Sequence, residues 1–182
     1  MTPPRADAEH NRARILQAAR EVAAAAGDAG EVRLNEIAKR AGVGQGTLYR
    51  HFPTRGALML EVYRRDVEEL HEAAVDLLGR HPADVAFERW LERLAEYARV
   101  KQGVFASVEA STRTGASAHG GERVRDAVEL LLSAGRAAGT VREDVDARDV
   151  VLLVGFLSRL APDERGARAR HLLLLVRNAL RP

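Results

Sequence analysis

Apolar residues recur every three or four positions along nearly all of this chain and β-branched runs are scarce, so the pattern supports helices and almost no strand. The clearest stripe is Ile15, Ala18, Ala19, Val22, Ala23 and Ala26, one face of a first helix that Gly27 and Gly30 stop. Two short helices are expected next, Leu34 to Arg40 and Gln45 to His51. Between them lies Ala41-Gly42-Val43-Gly44, where glycine opens the left-handed backbone that a tight turn needs. Pro53 then breaks the chain and Thr54 can cap a long helix from Arg55 to about Gly79. Pro82 opens a fifth helix with Phe87, Trp90, Leu91, Leu94, Tyr97 and Ala98 on one face, broken near Gly103. A weaker sixth, Val104 to about Thr112, runs into Thr114 to Gly121, the most loop-like segment of the chain. A seventh spans Glu122 to Ala138, an eighth capped by Asp146 spans Ala147 to Leu160, and a ninth runs from Pro162-Asp163 to about Leu180. The expected fold is therefore all-α, about nine helices, with a three-helix helix-turn-helix domain over 1–54 joined by a long helix to a second helical domain over 55–182.

Composition narrows the chemistry. The 182 residues are 46% hydrophobic, enough to fill a core, and there is no cysteine, which excludes disulfides and thiolate chemistry. The N-terminal residues lack the apolar core of a signal peptide, and the densest apolar run, Leu172 to Val176, is short and flanked by Arg170, His171 and Arg177. A cytoplasmic location is expected, with no membrane partner, no metal and no cofactor. Net charge is only +2, but residues 1–55 carry nine Lys and Arg against six Asp and Glu, whereas the rest carry nineteen against twenty. Such an excess suits a nucleic-acid surface or an ordinary solvated one, so motifs must decide. Arginine outnumbers lysine 26 to 2 evenly along the chain, which is a compositional bias.

The informative segment runs from Ala41 to Arg55. A helix entering the major groove needs apolar residues on one side, here Leu48 and Phe52, and hydrogen-bonding residues on the other, here Gln45, Thr47, Tyr49, Arg50 and His51. The hydroxyls of Thr47 and Tyr49 suit phosphate oxygens, while Gln45 and Arg50 are long enough for base edges. A polar surface helix would carry the same residue types, so spacing alone leaves both readings open.

Ile37-Ala38, Ala41-Gly42-Val43, Gly46-Thr47-Leu48-Tyr49 and His51-Phe52, with a basic residue at Arg55, closely resemble the signature of TetR-family regulators over roughly Arg12 to Tyr63. The resemblance implies an all-helical homodimer on a palindromic double-stranded DNA operator, controlled by a small-molecule effector in the C-terminal domain. It also implies DNA-contacting positions at Gln45, Gly46, Thr47, Tyr49, His51 and Arg55, with Arg33 or Asn35 at the entry of the supporting helix. The chain departs from the signature at Gly44, where the family usually has a capping Ser, at Arg33, in place of a small hydroxyl residue, and at Gly56, in place of Glu. Ala138 to Asp146 followed by an apolar helix is similar to C-terminal domains of one actinobacterial-type branch of the family.

Elsewhere the residues speak less directly. Met59, Tyr63, Phe87, Trp90, Tyr97 and Phe105 could line an effector pocket, since such cavities are mostly apolar, or could be plain core. Val150 to Leu157 and Leu172 to Val176 are apolar all round, so one side of each helix needs a partner beyond the domain's own core. That favours a dimer interface at Val151, Gly155, Phe156, Leu172, Leu173 and Val176, in a four-helix bundle across a two-fold axis, over a reading in which both helices are central in a single-chain core. The competing class, an enzyme or helical adaptor, finds little support: the six His are scattered, with no HExxH and no Gly-rich phosphate loop.

Overall fold

The helical periodicity is realised along the chain. The computed structural model describes residues 4–26, 32–106, 110–161, 164 and 166–182, and the side-chain surroundings of these apart from 4, 5, 26, 99–119 and 158. Among the described residues there is no strand, and no helix is long and apolar enough to cross a membrane. The elements are α1 (Pro4–Ala26), α2 (Leu34–Ala41), α3 (Gln45–His51), α4 (Arg55–Arg80), α5 (Ala83–Ala106), α6 (Ala110–Ala137), α7 (Ala147–Leu153), a 3-10 segment (Val154–Ser158) and α8 (Ala167–Ala179). They divide into two compact units, Met1–Arg65 with Val100–Ala116 and Asp66–Arg99 with Ser117–Pro182, the three divisions falling inside α4, α5 and α6 rather than in loops.

In the first unit α1 turns Ile15, Leu16, Ala18, Ala19, Val22 and Ala23 inward, Leu16 joining the expected stripe, whose last member Ala26 has its side chain outside the described residues. Small residues there let α2 approach closely and bury Ile37, Ala38 and Ala41, while Leu48 of α3, Phe52, and Leu58, Met59, Val62 and Tyr63 of α4 complete the core. Thr54 caps α4 as its position suggests, its Oγ1 accepting from the Ala57 N–H at 3.1 Å. The expected stop at Gly27 and Gly30 lies outside the described residues.

In the second unit Trp90 is fully buried and its indole N–H donates to the Leu70 carbonyl at 2.9 Å, fixing α5 against α4. After α6 the chain turns back over a buried glycine: Thr140 N–H and Thr140 Oγ1 both donate to the Gly135 carbonyl, at 2.8 and 3.2 Å, and Val141 packs where a Gly135 Cβ would stand. Beyond the turn the bidentate Arg142–Asp144 pair holds the Asp144 carboxyl below its usual range, mainly through the hydrogen bond from Arg142. Asp146 then starts α7 with a capping box, accepting from Asp149 N–H at 2.9 Å while the Asp149 carboxylate accepts from Asp146 N–H at 3.0 Å.

Three expectations change. Thr114 to Gly121 is helix within α6, not loop; of the expected short sixth helix, residues 104–106 belong to α5 and 110–112 to α6, with 107–109 outside the described residues, and α5 passes Gly103 without breaking. The segment contains no proline to remove a backbone donor, each interior glycine costs only about 1 kcal/mol relative to alanine, and burial of Val124, Ala127, Val128, Leu131 and Leu132 farther along α6 anchors the helix. The expected eighth helix tightens to 3-10 geometry at Val154, where the buried side chains Val154 and Leu157 fall three apart, the period of that tighter helix. The final helix begins at Ala167; Pro162 and Asp163 lie outside the described residues.

One turn holds the first unit's geometry. Gly42 sits at φ 62° and ψ 36°, and a Cβ there would also collide with Arg14 Nη2. Gly42→Ala is therefore expected to destabilise the fold by about 1–2 kcal/mol from the left-handed backbone alone, read as a lower urea midpoint; an unchanged midpoint would contradict this account of the turn.

Candidate nucleic-acid interface

The two short helices are set by their turn. Gly42 N–H reaches the Lys39 carbonyl at 3.1 Å and Val43 N–H the Ala38 carbonyl at 3.0 Å, the paired bonds that end a helix through a left-handed glycine. Arg14 of α1 adds a bond from Nη2 to the Gly42 carbonyl at 3.4 Å. The chain then enters α3 through Gly44, whose carbonyl accepts from Thr47 and Leu48 N–H at 3.0 and 3.1 Å, and whose missing side chain leaves the cap without a side-chain acceptor.

Within α3 only Leu48 is buried, at 1% exposure, with Phe52 just beyond the helix at 4%. Gln45, Gly46, Tyr49 and Arg50 are exposed, Thr47 and His51 half-buried. Spacing Leu48 and Phe52 one turn apart leaves Gln45, Gly46, Tyr49 and Arg50 of this seven-residue helix facing away from the protein, a polar face with a tyrosine 47% exposed. Arg33 and Asn35 are exposed at the start of α2, and Arg55 is half-buried at the start of α4. Arg50 is folded along α3 onto Gly46 and Thr47.

Two side chains that the sequence reading passed over brace this face. Arg12 of α1 donates from Nη2 to Glu61 Oε1 of α4 at 2.7 Å, and its Cζ lies 5.2 Å from the centre of the Phe52 ring. One guanidinium thus touches the end of α3 and the flank of α4 together. The signal was available: Arg12 precedes Ile15 by three positions, so helical spacing puts it at the edge of the buried stripe.

The other expected residues are distributed as follows. Met59 and Tyr63 are core of the first unit, and Phe87, Trp90 and Tyr97 core of the second; the Phe105 side chain lies outside the described residues. A cleft of about 130 Å³ between α5 and α8 is lined instead by Leu91, Leu173 and Leu174 with Glu88, Arg170 and Arg177 at its rim. On the last elements Val151, Phe156 and Leu172 are half-buried and Gly155 is exposed, but Leu173 and Val176 face inward at 4% and 8% exposure. The large apolar residues turned to solvent there are Leu152, Leu153, Leu174 and Leu175.

Comparison with known proteins agrees with this layout. Residues 15–62 match the family profile "Bacterial regulatory proteins, tetR family", and residues 82–182 match "Transcriptional regulator SbtR-like, C-terminal domain". Among solved structures the chain is similar to the TetR transcriptional regulator SCO0520 of Streptomyces coelicolor, with 34% identity, 94% of this chain and 98% of that one covered, and a TM-score of 0.80. It is also similar to a TetR transcription regulatory protein from Mycobacterium vanbaalenii, with 31% identity, 99% and 100% coverage, and a TM-score of 0.77. The HTH-type transcriptional regulator SAR0097 of Staphylococcus aureus (strain MRSA252) is 28% identical over 104 residues, 57% of this chain. That match spans about half, 54%, of the relative's own length.

If Arg12 braces the face, Arg12→Ala should lower stability by about 1–2 kcal/mol, most of it from the ring contact, because the partly exposed ion pair contributes under about 1 kcal/mol. Thermal unfolding checks this, and Arg12→Ala melting with the wild type would remove the brace from the account.

Proposed function

Since the chain belongs to the TetR family of transcriptional regulators, whose members are regulators and not enzymes, we propose that it is a repressor that binds a palindromic DNA operator as a homodimer and responds to a small-molecule effector. The observation that carries the DNA reading is the outward face of α3: Gln45, Gly46, Tyr49 and Arg50 are exposed together on a helix held to the protein by Leu48 and Phe52. A helix so mounted can enter the major groove without disturbing its own packing. The Tyr49 hydroxyl suits a phosphate oxygen and Gln45 a base edge, while Arg33, Asn35, His51 and Arg55 flank the face where the two backbones of the duplex would pass.

The dimer reading is supported by Leu152, Leu153, Leu174 and Leu175, exposed between 41% and 67% on α7 and α8. Leaving four leucines in water forfeits about 25 cal/mol per Å² of apolar surface, which a second copy of the same face would recover. Val151, Gly155, Phe156 and Leu172 border this surface, whereas Leu173 and Val176 are spent on the chain's own core.

For the effector, α4, α5 and α6 each run from one compact unit into the other, and α4 alone follows directly on the helix-turn-helix, so a ligand moving its second half would be felt at its first. The cleft of about 130 Å³ is small for an effector; ligand pockets run from roughly 300 Å³ upward. An effector placed among Phe87, Trp90 and Tyr97 would have to displace core side chains, breaking the Trp90 bond to Leu70. That displacement is a direct route from binding to α4.

Selection from a random duplex pool tests the DNA reading. It should return one palindrome with half-site centres about 10 bp or a multiple apart and a binding constant that falls steeply with salt; recovery of no common sequence would refute it. On that site Tyr49→Phe should cost about 1 kcal/mol of binding with the fold intact, and equal affinity would remove Tyr49 from the contact set. Replacing Leu152 and Leu175 together by Asp should give folded monomers by light scattering that lose tight operator binding, and a persistent dimer would overturn the interface.

A further inference from the structure

Arg50 does not extend freely from α3. Its Nε–H donates to the Gly46 carbonyl at 3.2 Å and its Nη2–H to Thr47 Oγ1 at 3.1 Å, partners four and three residues back along the same helix. Both bonds use one edge of the planar guanidinium, the fork formed by Nε–H and the adjacent Nη2–H. The fork at the tip, formed by Nη1–H and the second Nη2–H, makes no bond among the described residues, and the side chain is exposed. Two parallel donors on a rigid plane match the O6 and N7 acceptors of guanine.

The fold-back also changes where the charge lies. Residue 50 belongs to the last turn of α3, but its guanidinium sits beside residues 46 and 47 in the first. In a helix-turn-helix the first turn of the recognition helix is the part set against base edges, while later residues approach the backbone. Thr47 is suited to hold the group there, because a β-branched side chain in a helix has few rotamers and this one is half-buried. An arginine already tethered at Nε and Nη2 has also given up much of the rotamer freedom that binding would otherwise take from it.

We propose that Arg50 reads a guanine in each half-site through its Nη1–Nη2 fork, and that Thr47 is the positioning residue that sets the plane of that fork. This rests on α3 entering the major groove, and adds to it the base, the reading edge and the side chain that aims it.

The test is random-pool selection with the wild type, Arg50→Ala, Arg50→Lys, Thr47→Val and Thr47→Ser, followed by titration on the selected site and on a copy with the guanine replaced. Arg50→Ala and Arg50→Lys should each lose about ten-fold or more of discrimination at one guanine per half-site, with the rest of the consensus kept. Thr47→Val, matched in shape, should lower discrimination at the same guanine several-fold beyond any loss of phosphate contact that weakens both sites alike, and Thr47→Ser should restore it, each variant melting with the wild type. Equal weakening of both sites by Arg50→Ala would make Arg50 a phosphate contact and overturn the proposal. Full discrimination in Thr47→Val, or equal loss on both sites, would overturn the role of Thr47. A wild type that selects no sequence refutes the DNA reading itself, and is recognised by there being no consensus to relax.

Discussion

The geometry of the DNA-binding unit depends on one side chain that reaches three elements. Arg12, on α1, meets Glu61 of α4 through a hydrogen-bonded ion pair and sits over the Phe52 ring, so the end of α3 and the start of α4 are referred to the same helix. Neither contact is strong alone. An ion pair whose partners are 41% and 28% exposed is weakened by solvent, and a cation over a ring contributes on the order of 1 kcal/mol. Their value lies in direction: each contact removes a freedom that the other leaves.

That matters because α3 cannot be a helix by itself. Seven residues are far below the length at which a helix persists in water, and this one has a glycine within it and a glycine for its cap. Its structure is imposed from outside by the left-handed turn at Gly42, by the burial of Leu48, and by Phe52 beneath Arg12. Because so few side chains are needed to hold the helix, the rest are free to face outward. The same economy explains why a short recognition element can carry a polar, exposed face without a compensating core of its own.

How much of this was legible follows from which interactions are local. The limits of α3, the glycine turn before it and the caps at Thr54 and Asp146 are decided within a few residues, and each appears where the residue pattern places it. The candidate face was legible for the same reason, since Leu48 and Phe52 lie one turn apart and fix which side turns out. The bond from Arg50 to Thr47 is local too, but an arginine has many rotamers and spacing does not choose among them. Residues 114–121 read as loop because three of the eight are glycine, although the helix is carried by apolar burial farther along the same element. The leucines of α8 failed differently. A run of five apolar residues hides its own register, and the inward set is Ala169, Leu173, Val176 and Leu180, which leaves Leu174 and Leu175 for solvent or a partner.

The central claim is that the outward face of α3 reads DNA from the major groove. Methylation interference on the selected site separates the two grooves chemically, because guanine N7 lies in the major groove and adenine N3 in the minor. The account predicts that N7 methylation blocks binding in two clusters whose centres are about 10 bp or a multiple apart, one for each α3 of the dimer. Interference confined to adenine N3, or binding indifferent to methylation in either groove, would contradict it.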